Sequence, residues 1–126
     1  MRTSLSLIAV AAVLAGCSDD PFDPSSIDGR WGGVGAELVV GPTFAMLRLT
    51  CAHGPLAGRP EVENGAFETT ANLEAGPGFQ QRGAFVRGQL TGRYLELTVT
   101  EGYSGVPQHF LLFPGQPGEL EGPCPR

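Results

Sequence analysis

Gly83-Ala84-Phe85-Val86-Arg87-Gly88-Gln89-Leu90, followed after Thr91-Gly92 by Tyr94-Leu95-Glu96-Leu97-Thr98-Val99-Thr100, carries the clearest pattern in the chain. Ala84, Val86, Gly88 and Leu90 fall on one side of the first segment. Leu95, Leu97 and Val99 fall on one side of the second, with Glu96, Thr98 and Thr100 opposite. Successive side chains of an extended chain point to opposite faces, so this period of two predicts half-buried strands.

Working outward, Gln108–Phe113 reads as a last apolar strand, ended by Pro114-Gly115. Upstream, Gly29-Arg30-Trp31-Gly32-Gly33 opens the strand-rich body, and Ala36–Val40 is a short apolar strand closed by Gly41-Pro42. In Thr43–Cys51, residues Ala45, Leu47, Leu49 and Cys51 share one face, and Phe44, Met46, Arg48 and Thr50 the other. Asn64-Gly65 is the strongest turn signal, because both positions of a type I′ hairpin need positive φ. It predicts that Arg59–Glu63 pairs with Ala66–Leu73. Gly76-Pro77-Gly78 turns the chain again, and the tail 116–126 holds three Pro and no pattern. No segment after residue 17 has helical period. Seven or eight short strands with tight connections predict an all-β fold, a small antiparallel meander barrel or else a small sandwich. Closure into a barrel removes the exposed strand edges at which aggregation starts.

Composition supports one domain. The chain has 126 residues with 19 Gly and 11 Pro, a mix that disfavours long helices and implies many turns. Its formal net charge of −5 is unevenly placed. All four Asp (Asp19, Asp20, Asp23, Asp28) precede residue 29, whereas the body carries nine Glu and seven Arg and is nearly neutral. No basic face for nucleic acid is present.

Before Asp19 the only charge is Arg2, and Leu5–Leu14 is an apolar run ending in Leu14-Ala15-Gly16-Cys17. A basic start, a short apolar core and a small-residue cleavage site make a secretory signal helix. The run is about half the ~20 residues needed to span a bilayer. Leu14-Ala15-Gly16-Cys17 resembles the lipobox of bacterial lipoproteins. That resemblance implies cleavage before Cys17, a diacylglycerol thioether on Cys17 and usually an N-acyl chain, with two or more chains giving stable anchoring. It implies a signal peptide over 1–16, a lipidated flexible tether over 17–28 and a single β domain over 29–126. Ser18 after the cysteine reads as an outer-membrane address in a Gram-negative cell envelope. Two prolines and four aspartates keep 18–28 open and solvated; Phe22 and Ile27 are its possible contact points with the domain.

With Cys17 taken by lipid, Cys51 and Cys124 remain, outside the reducing cytosol, and a disulfide between them is the simplest expectation. Closing so long a loop contributes about 4 kcal/mol in the chain-entropy model. It would pin the tail to the end of the third strand. Cys51-Ala52-His53-Gly54, with His109 and Cys124, invites comparison with zinc ligands, but no Cys-x-x-Cys pair is present. No metal or other cofactor is therefore expected, with His53 in a turn and His109 on a strand face. Ser104 in Gly102-Tyr103-Ser104-Gly105-Val106 lacks the nucleophile elbow. Glu61/Glu63 and Glu119/Glu121 read as solvated pairs, so no catalytic residue is assigned.

Gly29-Arg30-Trp31 resembles the Gly-x-Trp of lipocalins, in which the Trp plugs the barrel at its first strand. That resemblance makes Trp31 a candidate ligand-binding residue and a small apolar molecule the candidate ligand. Together with Cys51-Ala52-His53-Gly54 and Leu95–Thr100, the same stretch resembles a set of small exported bacterial β-proteins, which implies fold and export and names no activity. The function expected is a non-enzymatic envelope lipoprotein whose β-domain binds or scaffolds an envelope protein or a small apolar ligand. The alternative is an inhibitor of a lysozyme or protease, acting through the loop Glu101–Pro107. Membrane-bound lysozyme inhibitors carry a Ser-Gly-x-x-Tyr loop. Here Ser104-Gly105 is followed by Val106-Pro107-Gln108, without the Tyr.

Overall fold

The alternating stretch forms the longest hairpin of the molecule. In the computed structural model, which describes residues 26–75, 81–102 and 105–122, Leu90 faces Leu95, Gly88 faces Leu97 and Val86 faces Val99. The described residues form eight strands: β1 (Gly29–Gly33), β2 (Ala36–Val40), β3 (Ala45–Leu49), β4 (His53–Pro55), β5 (Ala66–Leu73), β6 (Arg82–Thr91), β7 (Tyr94–Glu101) and β8 (Pro107–Pro114). They make one antiparallel sheet in the order β4-β3-β2-β1-β8-β7-β6-β5. Strands adjacent in sequence thus pair everywhere except between β4 and β5, and the first strand pairs with the last.

The free ends of that sheet, β4 and β5, are stitched by bridges His53–Glu74 and Leu56–Ala71. The His53 N–H donates to the Glu74 carbonyl at 3.0 Å, the Glu74 N–H donates back at 2.8 Å, and the Ala57 N–H donates to the Thr70 carbonyl at 2.8 Å. The sheet is a nearly closed meander barrel. Gly54 makes the seam feasible: a Cβ there would collide with the Asn72 carbonyl. No helix occurs among the described residues, in keeping with the all-β expectation.

The inward stripe is the predicted one. Leu38, Leu47, Val86, Leu95, Leu97, Val99 and Leu112 are fully buried, joined by Ala36, Ala45, Ala71, Leu73 and Ala84. Eight strands enclose an interior that side chains can fill. Phe67 supplies bulk opposite Gly88, whose missing side chain leaves the space that the ring takes.

Three local expectations are corrected. Arg59–Glu63 is not a strand: Pro60 lacks an N–H to donate, and only Glu63 pairs, with Ala66, around the Asn64-Gly65 turn. The strand that the seam uses instead is β4, which places His53 in a strand and not in a turn. The body also begins earlier than residue 29. Ile27 is 2% exposed within the core, and the buried Trp31 Nε1–H donates to its carbonyl at 2.9 Å. Asp28 pairs with Arg59. Residues 17–25 of the expected tether, like the signal segment, lie outside the described residues.

The tail is likewise more ordered than its sequence suggests. Glu119 bridges Val34 in parallel, its N–H donating to the Gly33 carbonyl at 2.9 Å and its carbonyl accepting from Gly35 at 2.8 Å. Residues 115–119 therefore form a strap across the outside of β1 and β2.

Candidate functional site

The barrel has two unlike ends. Its base is the end at which β1 begins, where the connections after β2, β4 and β6 lie. The connections after β1, β3, β5 and β7 lie at the other end, the mouth. The base is plugged: Trp31 and Ile27 are both buried there and hydrogen-bonded to each other. Trp31 lines neither of the two large clefts of the surface. At 3% exposure it is packed within the core.

At the mouth the inward stripe changes character. On β6 the sequence Leu90, Gly88, Val86, Ala84 continues to Arg82; on β7 Leu95, Leu97, Val99 continues to Glu101; on β8 Leu112, Phe110 continues to Gln108. Each strand keeps its alternation but swaps an apolar group for a polar one at the last inward position. These three side chains, with Gly35, Leu49, Thr50, Cys51, Ala52, Ala75 and Phe110, line a cleft of about 610 Å³. Leu49, Ala52 and Phe110 pack from below onto the buried core. The cleft thus has an apolar floor and a polar rim. Sites for small molecules have this makeup, and barrel mouths are a recurrent place for them.

A second groove of about 620 Å³ lies between residues 57–63 and β5. Its lining includes Arg59, Glu61, Glu63 and Glu68, all exposed, over the buried Pro60 and Phe67. It offers little apolar wall, so the mouth is the better candidate.

The sequence-derived candidates scatter. His53 lies on β4 and His109 on β8, with three strands between them in the sheet. His109 Nδ1 is 3.1 Å from Thr98 Oγ1 on the outer face. Cys51 is disulfide-bonded and stands at the rim of the mouth; Cys124, Cys17 and Ser104 lie outside the described residues. Among the described residues no three His, Cys, Asp or Glu are grouped as a metal would need. Glu61, Glu63, Glu119 and Glu121 are exposed. Val106, in the loop singled out for an inhibitor, is exposed beside the mouth.

Glu37 is the one charged side chain buried among the described residues, at 5% exposure. It points out of the barrel on β2 but lies under the strap. Its carboxylate accepts from the Gly118 N–H at 3.0 Å and lies 3.5 Å from Arg48 Nη1 and 3.9 Å from Arg30 Nε. Ringed by partners, it fastens the strap and leaves no opening for substrate. The sequence pattern does not single out Arg82, Glu101 and Gln108 by itself; following each inward stripe one step further finds them.

Comparison with known proteins adds no name to this geometry: no protein-family model, no curated protein and no solved structure matches the chain.

Proposed function

We propose that the chain is a lipid-anchored envelope protein whose barrel is a non-enzymatic binding domain, with its ligand in the mouth and not beside Trp31. The observation that carries this reading is the apolar-floored, polar-rimmed cleft of about 610 Å³ at the end of the barrel that no described segment plugs. The lipobox resemblance at Leu14–Cys17 supports the anchor. Residues 17–25 reach at most about 30 Å when extended, and they join the barrel at its base. The mouth then faces away from the membrane, toward dissolved ligands.

In the same reading Cys51 pairs with Cys124. Cys51 is disulfide-bonded, and Gly122, two residues before Cys124, runs against Thr50: a Cβ there would lie 3.2 Å from Thr50 Cγ2. The bridge would tie the strap to the rim of the mouth.

Fractionation combined with a neutral fluorescent probe tests both parts. The native chain should sediment with membranes and the Cys17→Ser chain should not be lipidated. The Cys17→Ser chain should bind Nile red, and a further Leu49→Arg change, which puts a charge on the cleft floor, should abolish that binding. Native chain found soluble refutes the anchor; Nile red binding indifferent to Leu49→Arg refutes the mouth.

A further inference from the structure

We propose that the half of the β5 edge nearest the base takes up a basic peptide segment of another protein, in extended conformation, as an added strand in the groove beside residues 57–63. This is a second site, separate from the mouth, and neither reading depends on the other.

One edge of β5 is fully paired and the other is not. β6 pairs with the whole of Ala66–Leu73. On the opposite edge Ala66 exchanges both backbone hydrogen bonds with Glu63, at 2.9 and 3.0 Å, and pairing resumes only at Thr70, whose carbonyl accepts from the Ala57 N–H. Backbone groups of an antiparallel strand point alternately to its two neighbours, so Glu68 and Thr70 face the same edge as Ala66. Between the two fastenings, the Glu68 N–H and carbonyl and the Thr70 N–H have no backbone partner among the described residues. The cause of the opening is local. Gly58 takes a φ of 81° and its N–H donates back to the Leu56 carbonyl at 2.7 Å, which carries the chain off the edge. Pro60 then has no N–H to give. The gap is the groove of about 620 Å³ lined by Arg59, Glu61, Glu63 and Glu68.

An open edge is a template for another strand, and extended peptides are taken up this way, with main-chain hydrogen bonds supplying affinity. Charge chooses the occupant. Arg59 is committed to Asp28 and Glu68 to Arg87. Glu61 and Glu63 are exposed and enter no ion pair among the described residues. With three carboxylates against one guanidinium, the charged lining is net negative. A second copy would set these carboxylates against themselves, and like charges facing each other across strands destabilise pairing. Residues 18–25 of the chain itself carry Asp19, Asp20 and Asp23 and no cation, so they are repelled in the same way. A foreign segment with Lys or Arg flanking a β-forming centre meets both demands. Its backbone pairs with Glu68 and Thr70, and its cations face Glu61 and Glu63. The carboxylates that keep identical copies apart thus set the sign of the partner.

The test is amide NMR titration of the full native chain in detergent micelles with three end-blocked pentapeptides. These are KTVTK, its acidic counterpart ETVTE, and KTVTK methylated on the backbone nitrogens of its three central residues, which then cannot donate. KTVTK should shift the amides of Glu68 and Thr70 and of residues 57–63, and leave those of Leu49 and Ala52 at the mouth in place. The methylated peptide should bind roughly tenfold more weakly, the size of one or two lost hydrogen bonds, and ETVTE at least as weakly. Glu61→Gln with Glu63→Gln should weaken KTVTK by roughly threefold, as exposed charges do. No binding of KTVTK, equal binding of the methylated peptide or of ETVTE, or shifts that map away from β5 would overturn the proposal. So would Glu68 shifts that grow with protein concentration in the absence of peptide, together with a doubled mass in sedimentation, because the edge would then belong to a second copy.

Discussion

The base and the mouth of this barrel are ends of the same inward stripe, finished in opposite ways. At the base the stripe runs out in Val40, Ala45 and Leu95, and the chain folds Ile27 and Trp31 over it, so that these groups are buried and the indole N–H is hydrogen-bonded. At the mouth it runs out in Arg82, Glu101 and Gln108, and no described segment covers it. The contrast separates two uses of one period-two pattern. An apolar last position asks for a plug, because exposed apolar surface costs about 25 cal/mol per Å². A polar last position can face water and is available for recognition.

If the base is a plug, breaking it should produce the largest effect in the molecule. Trp31→Ala removes a buried indole from a packed interior and takes away the donor to the Ile27 carbonyl. Large-to-small changes of this kind cost about 3–5 kcal/mol, and stranding a buried polar group adds to that. Urea unfolding should report a loss of about 4 kcal/mol or no folded state. A loss under about 1 kcal/mol, the size of an ordinary substitution, would mean that Trp31 is not the plug. Trp31→Phe, which keeps most of the volume, should fold and should bind mouth ligands normally.

The strap supplies a second, smaller break. Glu37→Ala removes the acceptor of the Gly118 N–H and the charge between Arg30 and Arg48. Hydrogen bonds to charged groups contribute about 1.5–3 kcal/mol, whereas the exposed arginines add little. We expect a loss of about 2 kcal/mol in urea unfolding. Amide exchange should quicken at Gly118 and Glu119, and the β6–β7 amides should remain protected until global unfolding. Uniform loosening of the whole sheet would show that Glu37 supports the barrel rather than the strap.

How much of the fold is legible in the sequence follows from how local each cause is. The β6–β7 hairpin is legible because each strand carries its own alternation and the connection between them is short. β4 is not: His53-Gly54-Pro55 is too short to show a period, and its reason for being a strand is β5, which begins eleven residues after β4 ends and meets it only at its far end. The same non-locality defeats a hairpin of Arg59–Glu63 with β5. The Asn64-Gly65 turn is present with φ of 55° and 77°, but beyond the Glu63–Ala66 bridge the incoming segment leaves a groove beside β5, and the seam holds only the far end of that strand, at Thr70, Ala71 and the following Glu74. Glu37 has the pattern of an ordinary outward, solvated position on a strand; a segment 81 residues away buries it. The mouth is half legible, since the stripes themselves are plain and the site begins one residue beyond their last apolar member.

The smallest effect sharpens the comparison most. Glu37 and Glu101 are both carboxylates on strands of one sheet, and a stability assay should tell them apart. Removing the charge of Glu37 breaks a set of contacts made on folding, whereas Glu101 makes no ion pair with any described residue and is half-exposed. Glu101→Gln keeps the shape and should change unfolding free energy by less than about 0.5 kcal/mol, as substitutions away from packed or paired features do. A loss above about 1 kcal/mol would place Glu101 with Glu37 among the groups that hold the fold. Near-neutral stability would set Glu101 apart from Glu37, as a carboxylate that lines the mouth without holding the fold.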